Sequence, residues 1–507
     1  MPVTRGVALS LVALVVLFTL GPRAAGQVAS DPAAQIQAAA EYFESASYDE
    51  AMVSYDLAIQ GGDPALVSRA RKGKIRTALR IAEFDLALAE AEALNADPTA
   101  DAESQTLLGD ALWASGLFDE ADAAYRSSLS VAPESSRAKF GLARSLATRN
   151  RLDDALAESL AAAALAPQDA EIHALVGLVH ERLGQFEEAA DAYDRFIALL
   201  PTTETSSMAT ISQSKVRLLR SFKGRIPLEV SEADQARVHR VPFRMANRKI
   251  VVRGRVNRTP VEFVLDTGSE RTGISDATAR RARVATVTAT LSAGVGQARL
   301  NRLELGRVDT LEVGSLRIRN VPVAIRGDAR NGLPRWQSES FSPLSLGYSL
   351  VVDYERREVL MSRALPNGPA DIRLPMRMNR LPLVRGVLNS THPAYFVVDT
   401  GGELISISAD TALSLAMPPT RRIPLRVFGM SGLDENAFLL PGVDLDFDDI
   451  EYRKVGLAVL NLRAPSILLG FQLGGIVGHS FLSEYRVSMD VGRSELRLEH
   501  VDAAVSR

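Results

Sequence analysis

The chain has 507 residues with 46% hydrophobic and 23% charged side chains, which is too long for one core and too apolar for a disordered or collagen-like polymer. Its net charge of −3 points to no particular partner. The absence of a basic patch, a phosphate loop or a dinucleotide fingerprint argues against nucleic acid and nucleotide cofactors. Cysteine is absent, which removes thiol nucleophiles, Cys-ligated zinc and disulfides and leaves core burial as the source of stability.

The N-terminus comes first in chain order. Arg5 precedes an uncharged apolar run over 7–20, and Pro22-Arg23-Ala24-Ala25-Gly26 then supplies small residues. This is the layout of a secretory signal spanning 1–26 and cut after Gly26. The run is shorter than the roughly 20 apolar residues of a spanning helix. No second long apolar stretch follows, so the processed chain is expected outside the membrane, in the periplasm or secreted.

The next stretch, 31–201, is repetitive. Tyr48-Asp49-Glu50-Ala51, Phe84-Asp85-Leu86-Ala87, Phe118-Asp119-Glu120-Ala121, Leu152-Asp153-Asp154-Ala155 and Phe186-Glu187-Glu188-Ala189 follow one another at intervals of 36, 34, 34 and 34 residues. Pro133, Pro167 and Pro201 each stand 12 residues past the Ala of their motif, closing a second helix. Gly109 and Gly177 occupy a matching first-helix position where two helices can approach closely. The period predicts an all-α solenoid of about five helix–turn–helix units. The segment resembles the tetratricopeptide repeat, whose concave face is a common peptide-binding surface. Over 202–225 a Ser/Thr-rich linker leads into a capping helix. Ile211, Lys215, Leu218 and Phe222 are predicted to form its inner face, with a polar back toward solvent. His173 and His180, seven residues apart, do not have the one-turn spacing of a zinc pair, and no metal site is expected.

From about Ile226 the runs become short, alternating and β-branched, as in all-β structure. The region is duplicated. Phe263-Val264-Leu265-Asp266-Thr267-Gly268 answers to Phe396-Val397-Val398-Asp399-Thr400-Gly401, and Ile274-Ser275 answers to Ile407-Ser408. Asn257 and Asn389 occupy the hairpin turn ahead of each motif, where turn chemistry accounts for them. The halves are predicted to be two small β-lobes, 240–363 and 375–500.

Each Asp ends an apolar strand, where a lone carboxylate is costly. Gly268 and Gly401 permit a sharp turn there, and Thr267 and Thr400 can brace one loop against the other. If the halves pack about a pseudo-twofold axis, Asp266 and Asp399 meet. Two carboxylates about 3 Å apart share one proton, and such a pair can act as general base and general acid on a water.

On these residues the chain resembles the retropepsin-like aspartic proteases, in their bacterial form with two lobes in one chain behind a repeat domain. The resemblance implies catalytic Asp266 and Asp399, supported by Thr267, Gly268, Ser269, Thr400 and Gly401. A hydrophobic-hydrophobic-Gly turn behind the catalytic loop is implied at Ile476-Val477-Gly478. The first lobe has Ser340-Phe341-Ser342-Pro343-Leu344 there, with no Gly in register. Flap hairpins are implied around Gly294 and Gly296 and around Gly429 and Gly432. The implied activity is hydrolysis of a protein or peptide substrate without cofactor or metal, the solenoid recruiting substrate or a partner protein. The alternative is a non-catalytic peptide-binding scaffold with a degenerate protease region. Gly478-His479-Ser480-Phe481-Leu482 resembles a serine-hydrolase elbow but lacks its last Gly, and reads as the Gly turn entering the core.

Overall fold

The computed structural model describes residues 31–98, 100–201, 206–296, 300–327, 338–415, 422–429 and 431–501. The expected signal segment and its cleavage at Gly26 lie outside them. Among the described residues no helix is long and apolar enough to cross a membrane.

Paired antiparallel helices run from Pro32–Glu44 to Phe186–Leu199. Their period appears in the backbone as well as in the sequence. Ala46, Ala82, Gly116, Asn150 and Gly184 all have positive φ at the turn inside each helix pair, the left-handed step that lets the second helix fold back on the first. Small residues set the crossings within and between repeats. A Cβ on Gly109 would lie 2.6 Å from the Tyr125 ring, one on Gly141 2.3 Å from its other side, and one on Gly177 3.0 Å from Tyr193. A tyrosine of each of these second helices thus fills the space a missing side chain leaves.

The helix Ser207–Arg220 packs its Leu218 and Leu219 on Phe186, Ala189 and Tyr193 of the last repeat, with Phe222 just beyond it. Its other face is not the polar back expected from the sequence. Ser212 and Ser214 are buried, the Ser214 hydroxyl bonds to Ala289 O, and Leu305 of the first lobe joins the same apolar cluster. The helix is a spacer between solenoid and lobe, and its small serines permit that close approach.

The β-rich region is two copies of one plan. In each, a buried strand, Thr259–Leu265 or His392–Val398, runs antiparallel to its predecessor and ends at the Asp-Thr-Gly loop. A short strand follows, Gly273–Ser275 or Ile405–Ser408, and Ser275 and Ser408 then cap short helices with the same φ of −71° and ψ of 155°. Asn257 and Asn389 both have positive φ, and their side-chain oxygens accept from Thr310 N and Asp444 N of a neighbouring strand. The halves are joined edge to edge by a shared antiparallel sheet. Ser349–Asp353 pairs with Tyr485–Asp490 at its centre, in the mutually reversed couples Leu350 to Met489 and Val352 to Val487. That arrangement makes the halves pseudo-twofold partners, and one apolar core runs through both.

The solenoid is welded to the second lobe. Trp113, Phe118 and Tyr125 share a buried cluster with Leu383, Tyr395 and Phe471. Gln472 N donates to Ala114 O at 2.7 Å, so close that a Cβ on Gly116 would lie 2.8 Å from Gln472 O. At the rim of this contact the buried Arg377 guanidinium donates to Asp119 at 2.6 Å and Asp122 at 3.1 Å.

Candidate active site

The two Asp-Thr-Gly loops meet where the pseudo-twofold axis leaves the core. Each Asp is fixed through its backbone: Asp266 N donates to Phe341 O at 2.9 Å, and Asp399 N to Val477 O at 3.0 Å. The threonines cross between lobes. The Thr267 hydroxyl donates to Val398 O at 2.6 Å and accepts from Thr400 N at 3.0 Å. The Thr400 hydroxyl donates to Leu265 O at 2.8 Å and accepts from Thr267 N at 3.2 Å. Four buried hydrogen bonds therefore lock the loops together, and losing either hydroxyl would strand a buried N–H and a buried carbonyl.

The glycines are required by contact. A Cβ on Gly268 would lie 2.4 Å from Asp399 Cγ. One on Gly401 would lie 3.0 Å from Asp266 Oδ1 and 3.1 Å from Asp399 Oδ1, so the volume of one absent methyl group touches both carboxylates. Burial and the neighbouring Asp266 push the Asp399 carboxyl up to about 7, against the pull of the Gly401 N–H, which donates to Oδ1 at 2.7 Å, and of Lys249. Asp266 Oδ2 accepts a 2.6 Å hydrogen bond from the Ser269 hydroxyl.

Behind the loops, Gly475–Val477 runs parallel to the second-lobe strand, and Ser340–Phe341 takes the same place in the first. Gly478 has no room for a side chain, since a Cβ there would lie 2.8 Å from Gly402 C and 2.9 Å from Leu404 O. Ser342 stands in its position in the first lobe. Its hydroxyl donates to Ser269 O at 2.7 Å and its N–H to the Thr272 hydroxyl at 3.3 Å. The missing glycine is thus replaced by a hydrogen-bonded brace on the same loop.

Several site residues carried no local signal in the sequence. Lys249, in the first-lobe hairpin, bonds to Gly401 O and pairs with Glu403 at 3.3 Å in the second-lobe loop. Its counterpart is Arg380, in the second-lobe hairpin, which pairs with Glu270 of the first-lobe loop at 2.7 Å. Glu181 of the solenoid reaches Arg271 of that loop at 3.2 Å. Arg326, at the end of Leu316–Arg326, donates to the Ser269 hydroxyl at 3.2 Å. Aligning the two halves strand by strand would have exposed Arg326, because an apolar residue holds that position in the second copy.

The four glycines expected in flap hairpins come together. Gly294 N donates to the Ser431 hydroxyl at 3.0 Å, Ser431 N donates to Val295 O at 3.0 Å, and Gly296 forms a bridge with Ser431. A Cβ on Gly429 would lie 2.1 Å from Val295 O, and one on Gly296 2.5 Å from Gly432 O. The two segments thus meet backbone to backbone. His173 and His180 have separate partners, Pro167 O and the Gln185 side chain, and do not converge. His479 and Ser480 begin the short helix His479–Leu482, with Ser480 exposed.

Residues 252–349 match the aspartyl protease family, and residues 106–170 and 157–202 match the tetratricopeptide repeat. The chain is similar to a thermophilic TPR protein of Thermus thermophilus, at 17% identity over 36% of this chain and 98% of that one, with a TM-score of 0.31. It is also similar to pilF of Pseudomonas aeruginosa, at 15% identity over 38% of this chain and 84% of that one, with a TM-score of 0.28. No curated protein matches. An aspartyl protease domain thus lies in the C-terminal region, with tetratricopeptide repeats ahead of it.

Proposed function

We propose that the chain is an exported aspartic endopeptidase in which Asp266 and Asp399 jointly activate a water for attack on a peptide carbonyl, while the repeat region recruits the substrate or a partner protein. The observation that carries this reading is the approach of the two carboxylates across the volume left by Gly401. Two charges are disfavoured in that buried space, so the pair keeps one proton up to about pH 7. A pair with one proton serves both halves of the reaction. As the water oxygen bonds to the carbonyl carbon, its proton passes to the ionised carboxylate and the protonated carboxyl gives its proton to the carbonyl oxygen. Collapse then breaks the C–N bond as a proton returns to the leaving amine.

Peptide-library cleavage between about pH 4 and pH 8 tests the reading. Asp266→Asn and Asp399→Asn are each expected to lower kcat/KM at least about 1000-fold. Cleavage undiminished in both variants would remove the pair as catalyst, and tight peptide binding by the native chain without turnover would favour a scaffold. Export rests on the layout of residues 1–26. N-terminal sequencing of the chain recovered from periplasmic and medium fractions should find Gln27 first.

A further inference from the structure

The two lobes differ most sharply beside Asp266. In the second lobe Ser408 pairs with Leu460, and Ser406 with Ala458. In the first lobe the same registers hold Ser275 with Arg326, and Gly273 with Ala324. Three exchanges coincide there: Arg326 for Leu460, Gly273 for Ser406, and Ser269 for Gly402. They are spatially interlocked. The Arg326 guanidinium fills the space that Gly273 leaves, with Cζ 2.6 Å from where a Cβ would be. From there Nη2 donates to the Ser269 hydroxyl at 3.2 Å, and that hydroxyl bonds to Asp266 Oδ2 at 2.6 Å.

The direction of this relay is fixed by chemistry. A guanidinium has donors only, so Ser269 must accept from Arg326 and has a single hydrogen left, which goes to Asp266 Oδ2. That oxygen is therefore an acceptor. Among the described residues no such side-chain relay reaches Asp399, whose loop has Gly402 in place of Ser269 and whose neighbouring strand has Leu460 in place of Arg326; its Oδ1 accepts instead from the Gly401 N–H at 2.7 Å. Resting on the two-Asp reading above, we infer that Arg326 is a positioning residue that, through Ser269, keeps the negative charge of the pair on Asp266 and leaves the shared proton on Asp399. The first-lobe Asp is then the base toward water and the second-lobe Asp the acid toward the carbonyl oxygen.

The surrounding charges are compatible with this. Burial pushes the Arg326 guanidinium down from its ordinary value, while Asp266 and Glu339 push it back up, and a guanidinium remains charged throughout the working pH range. Glu339 is occupied elsewhere, accepting from Ser275 N, the Ser275 hydroxyl and the Thr278 hydroxyl. Lys249 faces the pair from the Asp399 side, but its ammonium is bonded to Gly401 O and to Glu403.

The test is a carbon-13 carboxyl titration of the ligand-free full chain, alongside pH profiles of kcat/KM, for the native protein, Arg326→Leu and Arg326→Lys. Leucine is the second lobe's own residue at this register. In the native protein the titrating step should appear at the Asp399 carboxyl. Arg326→Leu should spread that step over both carboxyls and move both limbs of the profile upward by about one pH unit, and Arg326→Lys should lie near the native curves. A variant that loses rate with titration and limbs unmoved would reduce Arg326 to packing, and a native proton on Asp266 would overturn the assignment. If no peptide is cleaved by the native chain, the protease reading fails, while the carboxyl titration still decides the role of Arg326.

Discussion

The first and second lobes have the same strand registers beside the Asp-Thr-Gly loops but hold those loops by different means. The second relies on absent side chains: Gly402 and Gly478 let two backbones touch. The first fills the same places with Ser269 and Ser342, whose side-chain hydroxyls bond where the second lobe uses backbone hydrogen bonds such as His479 N to Gly402 O at 2.9 Å. Their attachments differ as well. The second lobe is welded to the solenoid by an apolar cluster and the buried Arg377, whereas the first meets it through a spacer helix and the Glu181–Arg271 pair. A duplicated fold thus keeps its backbone plan while its halves become chemically unlike, and a pair of carboxylates that is nearly symmetric in sequence becomes asymmetric in environment.

Substitutions that make the lobes alike, or remove what sets them apart, separate these contributions. The largest effect is expected at the pair itself. Folding raises the Asp399 carboxyl from 3.8 to about 7, so the folded state binds the proton more tightly than the unfolded chain. That contribution is favourable below about pH 4 and is lost as pH rises toward 7. Asp399→Asn should therefore match the native protein near pH 4 and exceed its stability by up to about 4 kcal/mol at about pH 8, read from urea midpoints. Next is the solenoid attachment. Arg377→Ala leaves Asp122 buried with Arg149 as its remaining cation, and a loss of about 3 kcal/mol is expected. Arg271→Ala, at the first-lobe contact, should cost about 1 kcal/mol. If the two losses are equal, the second lobe is not the main anchor.

The glycine turn gives a reciprocal pair of exchanges. Gly478→Ser drives a Cβ into Gly402 and Leu404 and should destabilise by about 2 kcal/mol, while Ser342→Gly loses one hydrogen bond and should cost about 1 kcal/mol. Equal costs would mean that the lobes use this turn in the same way. The smallest effects belong to the paired bridges. Lys249→Ala and Arg380→Ala should each change the thermal midpoint by the equivalent of less than about 1 kcal/mol, and a large difference between them would make them functionally unlike as well.

How far the sequence reaches differs between regions. The solenoid was legible because a helical repeat imposes a period, and Gly109, Gly177 and the turn motifs all keep it. The outer face of the helix over 207–220 was misread, since Ser212 and Ser214 look solvent-facing until a strand edge is laid against them. In the β-rich region the repeated Asp-Thr-Gly, the Ile-Ser echo and the turn asparagines were legible because each is a local backbone requirement. Ser342 was visible in register but not interpretable, because a hydroxyl can replace a close backbone contact only when an acceptor stands opposite.

What the sequence determined by itself was the period of the helices, the duplication of the β-lobes and the two acidic turns, all of which are set by short-range geometry along the chain. Only the tertiary structure decided which side chains gather around those turns. Lys249 meets a loop 152 residues away and Arg380 one 110 residues away, and Arg326 reaches Ser269 from a different strand. Such contacts are made by packing two lobes and a solenoid together, and no short-range pattern along the chain records them.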